Sequence, residues 1–206
     1  MFSATNVWGQ ILLGALSWWL AVYPSAQYPS AQGSAHLERE FPVEGRADYS
    51  SAHHDYPATD IFAACGSRVV APVDGVVLEA NRVDRWDPES DLGRDRGGRF
   101  LSVRGQDGVR YYMSHLFEIS VGIAQGTSIR AGSQIGRVGH TGSARFTPCH
   151  VHFGLSPVCE GTGQWWIRRG VVSPYPFLSR WRSGGQSSPA GAISAWKLQH
   201  GCPNRP

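Results

Sequence analysis

The residues with the clearest chemical use are His150 and His152, in the run Pro148-Cys149-His150-Val151-His152-Phe153-Gly154. In an extended strand, side chains alternate between faces, so both imidazoles point one way while Val151, Phe153 and Leu155 point the other. The apolar trio can face a core, leaving two imidazoles side by side on the open face. Two neutral imidazoles at that spacing suit a metal ion, or one ligand and one proton-transfer group. The plainer reading is a pair of polar residues on the solvated face of a half-buried strand.

Two more groups upstream strengthen the metal reading. His53 and His54 precede Asp60, and His115 follows the alternating segment Val109, Tyr111, Met113. A catalytic zinc is commonly held by three side chains, which leaves a position for water. Two histidines and one aspartate keep the ion acidic enough to activate that water. Amide hydrolysis also needs a base for the water and a donor for the developing oxyanion, so two further histidines are chemically useful.

The elements that must position these groups read as strands and turns. Gly 25 and Pro 13, with 41% hydrophobic residues, favour a turn-rich all-β body over a helix bundle. Asp60-Ile61-Phe62 begins a strand, and residues 69–78 read as two short strands about the Val73-Asp74-Gly75 turn. Residues 84–99, densely charged and of mixed sign, form a solvated loop whose aspartates lack calcium-loop spacing; Trp86 is a candidate wall of a groove. Gly105-Gln106-Asp107-Gly108 joins a hairpin, on whose second strand Val109, Tyr111, Met113 and His115 share a face. Residues 129–139 give turn, strand, turn, and 140–147 a Gly/Ser loop into the histidine strand. Residues 165–172 are expected as one more strand. Ser188-Pro189 caps a short helix to about His200, docked by Ile193 and Trp196.

The motifs His54…Asp60, Tyr112-Met113-Ser114-His115-Leu116 and His150-Val151-His152-Phe153 resemble those of the lysostaphin/LytM-type zinc endopeptidases. So do the spacers Ala71-Pro72-Val73-Asp74-Gly75-Val76-Val77, Gly132-Ser133-Gln134-Ile135-Gly136 and Val138-Gly139-His140-Thr141-Gly142. The likeness runs in the family's motif order from about Phe41 to Ser156. It implies a mainly β fold, an antiparallel β-sheet groove, here with a short C-terminal helix, and hydrolysis of peptide bonds in bacterial peptidoglycan. By the resemblance His54, Asp60 and His152 hold Zn2+, while His115 and His150 activate water and stabilise the tetrahedral intermediate. One departure stands out: the family usually has three residues between the first histidine and the aspartate, whereas five separate His54 from Asp60. Asp55-Tyr56-Pro57 must then loop outward. His53 becomes a rival ligand, with His54 preferred because it needs the smaller loop. His36, His140 and His200 read as surface groups, His140 near enough to border the groove.

Residues 7–23 form the one long apolar stretch, followed by Ser25-Ala26, and resemble a secretory signal peptide or a short uncleaved membrane anchor. No Lys or Arg precedes Arg39, so the usual basic start is missing. A doubled Tyr-Pro-Ser-Ala-Gln over 23–32 reads as linker. The expected organisation is 1–26 signal or anchor, 27–40 linker, 41–182 catalytic domain and 183–206 helical extension. Four cysteines fit an exported, oxidised protein, whether secreted, periplasmic or wall-associated. Cys149 and Cys159 flank the histidine strand and are expected to pair across a chain reversal, leaving Cys65 with Cys202. The net charge of +3 implies no nucleic acid, and a monomer acting on peptidoglycan is expected. Two rivals exist. A non-catalytic wall-binding or amidase-activating module of the same fold typically loses ligand residues, and here every position is filled. A biotinyl-type carrier needs a lysine in a hairpin turn, but Lys197, the single lysine, falls in the C-terminal helix.

Overall fold

The computed structural model describes residues 38–51, 53–159 and 164–203. The apolar segment 7–23, the repeat 23–32 and His36 lie outside the described residues, which all belong to the compact unit Ala35–Pro206. Among the described residues, ten strands run in the order β1 (Ala47–Tyr49), β2 (Thr59–Ala63), β3 (Arg68–Val70), β4 (Gly75–Asn81), β5 (Phe100–Gly105), β6 (Val109–Ser114), β7 (Glu118–Ile119), β8 (Ser128–Ile129), β9 (Gln134–Arg137) and β10 (His150–Pro157). Helices α1 (Trp165–Arg168), α2 (Tyr175–Arg182) and α3 (Ala190–His200) follow. Among these described helices, none is long and apolar enough to cross a membrane.

The large sheet has the order β1-β2-β10-β6-β5-β4-β8, and a smaller one the order β3-β9-β7. β10, last in sequence, is inserted between β2 and β6 and pairs antiparallel with both. Its alternation sets the faces. Val151, Phe153 and Leu155 are fully buried, against Ile61, Tyr111, Met113, Leu178 and Trp181 among others. His150 and His152 take the opposite face, as their spacing requires.

Several local expectations need correction. The two strands about Val73-Asp74-Gly75 exist but do not pair with each other; β3 joins β9 and β4 joins β5. Residues 165–172 are not a strand. Trp165, Trp166 and Ile167 are strand-favouring types, yet the Gln164 carbonyl accepts the Ile167 and Arg168 N–H groups and winds them into α1. Only Val172 bridges Leu155. The 140–147 loop contains a 3-10 turn, Gly142–Phe146. α2, not anticipated, places Leu178 and Trp181 on one buried face. α3 lies where expected, with Ile193 buried and Trp196 stacked on His200 at 4.7 Å.

The disulfides are Cys65–Cys149 and Cys159–Cys202, which overturns the Cys149–Cys159 pairing. The reason is geometric. No chain reversal separates Cys149 from Cys159; the extended β10 does, and a strand rises about 3.3 Å per residue. Antiparallel pairing instead sets His150 opposite Phe62, so Cys149 meets the chain just beyond β2, where Cys65 lies.

Candidate metal centre and cleft

Register brings the site together. His152 sits directly across from Asp60 on β2 and from Ser114 on β6, and His150 across from Phe62. His115 comes from just beyond the end of β6. Strict alternation would send it into the core with Tyr111 and Met113, but its φ is +63°, in the left-handed region that non-glycine residues seldom adopt. Its N–H donates to the Gly97 carbonyl at 2.9 Å and the Leu116 N–H to that of Arg99 at 3.0 Å, which secures the kink. Gly139 makes room for it: a Cβ there would stand 2.3 Å from the Phe117 nitrogen and 2.8 Å from the His115 oxygen. The shared face read from sequence therefore ends at Met113, and His115 turns to meet the other imidazoles.

Each of four imidazoles donates one ring N–H to a backbone carbonyl. His53 Nδ1 donates to Tyr56 at 3.1 Å, His115 Nδ1 to Thr141 at 2.8 Å, and His150 Nδ1 to Pro148 at 2.8 Å. His152 uses the other nitrogen, Nε2 donating to Arg169 at 2.8 Å. A carbonyl only accepts, so these contacts fix the tautomers and leave one lone pair on each neutral ring. The free atoms are Nε2 of His53, His115 and His150, and Nδ1 of His152.

Two of those lone pairs meet a carboxylate. His152 Nδ1 is 3.1 Å and His53 Nε2 is 3.7 Å from Asp60 Oδ1. An imidazole lone pair facing a carboxylate oxygen is repulsive unless a proton or a metal ion lies between them. Donor atoms of His53, Asp60 and His152 all fall within 4.8 Å of one another. Two neutral nitrogens and one carboxylate oxygen, each imidazole oriented by a bond from its other nitrogen, fit a zinc-type ion.

Electrostatics agree with neutral rings at His115 and His53. Burial, then the charges of His152 and His150, push His115 down to about 3. Burial and His152 also lower His53. Burial raises the Asp60 carboxyl, but in the metal-free protein a protonated His152, its Nδ1–H then donating to Asp60, together with positive charge on His150 and His53, outweighs it and brings the group to about 2. Asp60 is thus ionised at neutral pH, as a ligand must be.

Around these groups lies a cleft of about 620 Å³. The charged loop 84–99 forms one wall, with Trp86, whose Nε1 donates to Asp91, and Arg96, paired with the same aspartate. α1 and the residue after it form another, through Trp165, Arg168 and Arg169. The walls touch where the Trp165 indole lies on Gly93.

Asp60, His152, His115 and His150, all singled out from sequence, converge, with His115 and His150 ring centroids 4.9 Å apart. The preference for His54 does not match this geometry. The His53 Nδ1 bond to Tyr56 curls the 53–56 segment so that His53 turns toward Asp60, while the next residue, His54, is exposed. Its ring contacts His53 edge-on at 5.2 Å. His140 is exposed and does not line the cleft. Sequence reasoning missed Tyr56, Thr141 and Arg169. The Gly139-His140-Thr141-Gly142 spacer carried the signal for Thr141; for a backbone carbonyl such as that of Arg169 there was none.

Comparison with known proteins places this geometry. Residues 54–162, more than half of the chain, match peptidase family M23. No curated protein matches the chain. Among solved structures, the chain is similar to a protein described as a glycyl-glycine endopeptidase lytM from Ruminococcus gnavus ATCC 29149, with 23% identity and a TM-score of 0.53 over 72% of this chain and 62% of that one. It is also similar to the antimicrobial peptidase lysostaphin from Staphylococcus simulans, with 23% identity and a TM-score of 0.52 over 75% of this chain and 58% of that one. These likenesses establish the fold, a lysostaphin/LytM-type antiparallel β architecture. On the strength of the matched residues, the chain belongs to peptidase family M23.

Proposed function

We propose that this protein is a zinc-dependent endopeptidase that hydrolyses peptide bonds in bacterial peptidoglycan. The observation that carries the reading is the convergence of His53, Asp60 and His152 with the His115–His150 pair in one cleft. His53 Nε2, Asp60 Oδ1 and His152 Nδ1 would hold the ion. When bound, zinc supplies a Lewis acid that lowers the pKa of water and polarises a carbonyl.

The remaining steps belong to side chains of this chain. His115 and His150 each keep an unshared lone pair on Nε2, because Nδ1 is committed to a carbonyl. One of the pair accepts the proton of the attacking water at Nε2 and becomes a donor, first to the oxyanion of the tetrahedral intermediate and then to the leaving amine. Their proximity disfavours charge on both at once, so a single proton circulates. Positioned acid–base groups of this kind contribute about a hundredfold or more in rate.

The two disulfides support an oxidising location, secreted, periplasmic or wall-associated, where the protein acts as a monomer. Mass spectrometry of muropeptides after incubation with purified protein and zinc tests the proposal and locates the bond. Newly released peptide termini that vanish on chelation and return with zinc are expected. Wall binding without cleavage would instead make the chain a non-catalytic module.

A further inference from the structure

Three arginines line the cleft: Arg96, Arg168 and Arg169. Arg96 is paired with Asp91, and Arg168 Nη1 with Glu79 at 2.8 Å. Among the described residues Arg169 makes no ion pair, and its Nε is buried without a hydrogen-bond acceptor. Asp60, which lines the same cleft, faces His53 and His152 instead.

The guanidinium is nonetheless held in place. Its Cζ lies 3.8 Å over the Tyr56 ring and 5.3 Å from that of Trp165. Stacking on an aromatic face occupies the plane of a guanidinium rather than its terminal Nη edge, and that edge can bind a carboxylate with two parallel hydrogen bonds. The Arg169 carbonyl also holds His152 Nε2, which ties the backbone of this residue to the metal centre. A half-buried cation with no counter-charge loses hydration without compensation, and an anionic group of the substrate would supply it.

Resting on the endopeptidase reading, we infer that Arg169 is a specificity-determining residue that binds a free carboxylate of the wall peptide beside the cleaved bond. Tyr56 gives the scale, with its ring 5.7 Å from His152 and 3.8 Å from the Arg169 Cζ. An extended chain advances about 3.5 Å per residue, so the carboxylate belongs one to three residues from the cleaved amide. The preferred substrate class is an anionic peptide, and conversion of that carboxylate to a carboxamide removes the contact.

The test pairs a wall peptide bearing free carboxylates with the same peptide in which each is a carboxamide. Zinc-loaded wild-type, Arg169→Gln and Arg169→Lys proteins are compared in kcat/KM. Binding of both peptides to the zinc-loaded full chain carrying His150→Ala, with and without Arg169→Gln, is measured by calorimetry. The wild type is expected to favour the free carboxylate by about tenfold or more, mainly through KM, as for loss of a partly buried charge pair. Arg169→Gln abolishes the preference, and Arg169→Lys retains part of it, since the charge stays while the fork is lost. A wild type that treats both peptides alike, or binds neither, overturns the inference, as does an equal loss on both peptides in Arg169→Gln. Carboxylate-selective, Arg169-dependent binding without cleavage by the wild type would sink the peptidase reading and leave this inference standing.

Discussion

Gly154 lies against the Arg169 backbone: a Cβ on Gly154 would stand 2.2 Å from the Arg169 carbonyl oxygen and 2.6 Å from its carbon. That oxygen accepts the Nε2–H of His152, so the missing side chain on β10 lets a carbonyl from beyond α1 reach the imidazole proposed as a metal ligand. Gly154→Ala must push the 169–170 backbone away and free His152 to rotate. Orienting partners of this kind are typically worth about 10–100-fold in metal affinity. Zinc competition against a graded chelator measures it, and an unchanged affinity would show that the carbonyl contact does not matter.

His53 and His54 offer a sharper discrimination. His53→Ala should empty the site, because it removes the Nε2 that faces Asp60. His54→Ala removes an exposed ring and should leave near-stoichiometric zinc. Elemental analysis of the two purified variants decides the ligand, and the reverse result would restore His54.

Alternation along β10 was legible without coordinates, because a strand with Val151, Phe153 and Leu155 on one side has no choice about the side left to His150 and His152. The convergence of His115 was legible only as family resemblance; alternation alone points it into the core, and the left-handed backbone at that residue is imposed by contacts with Gly97, Arg99 and Gly139. The His53/His54 choice turned on one hydrogen bond to the Tyr56 carbonyl, which residue types do not encode. The disulfides were misread because ten positions of sequence separation say nothing about distance once the intervening chain is extended. α1 defeated propensity for the opposite reason, a single helical turn of strand-favouring residues held by its surroundings.

Within the histidine strand the proposed function gives the two rings different duties. His152→Ala should lose zinc and activity together. His150→Ala should keep zinc and lose cleavage by about a hundredfold or more, since its Nε2 is free for proton transfer and Asp60 is not its partner. Zinc content and muropeptide release are read on the same samples. An empty His150→Ala beside a loaded His152→Ala would reverse the assignment.

Acid sensitivity follows from the neutral rings. His115 moves from an ordinary 6.5 down to about 3 in the fold, and His53 is lowered as well, chiefly by burial. Between those two values the unfolded chain holds a proton on His115 that the native state lacks, so unfolding takes up protons and stability falls as pH falls. Above 6.5 both states are neutral at this residue and its contribution is flat. Asp60, lowered from 3.8 to about 2, adds a loss of the same sign at still lower pH, because there the unfolded state protonates first. Urea unfolding of chelator-treated protein should therefore show stability level near neutrality and declining steadily from about pH 6.5 toward pH 4. His115→Gln keeps a donor for the Thr141 carbonyl but cannot titrate, so it should lower the proton uptake on unfolding by about one in that window. A profile flat from pH 6.5 to 4, or a slope indifferent to His115→Gln, would mean that the imidazole is not held neutral by its burial.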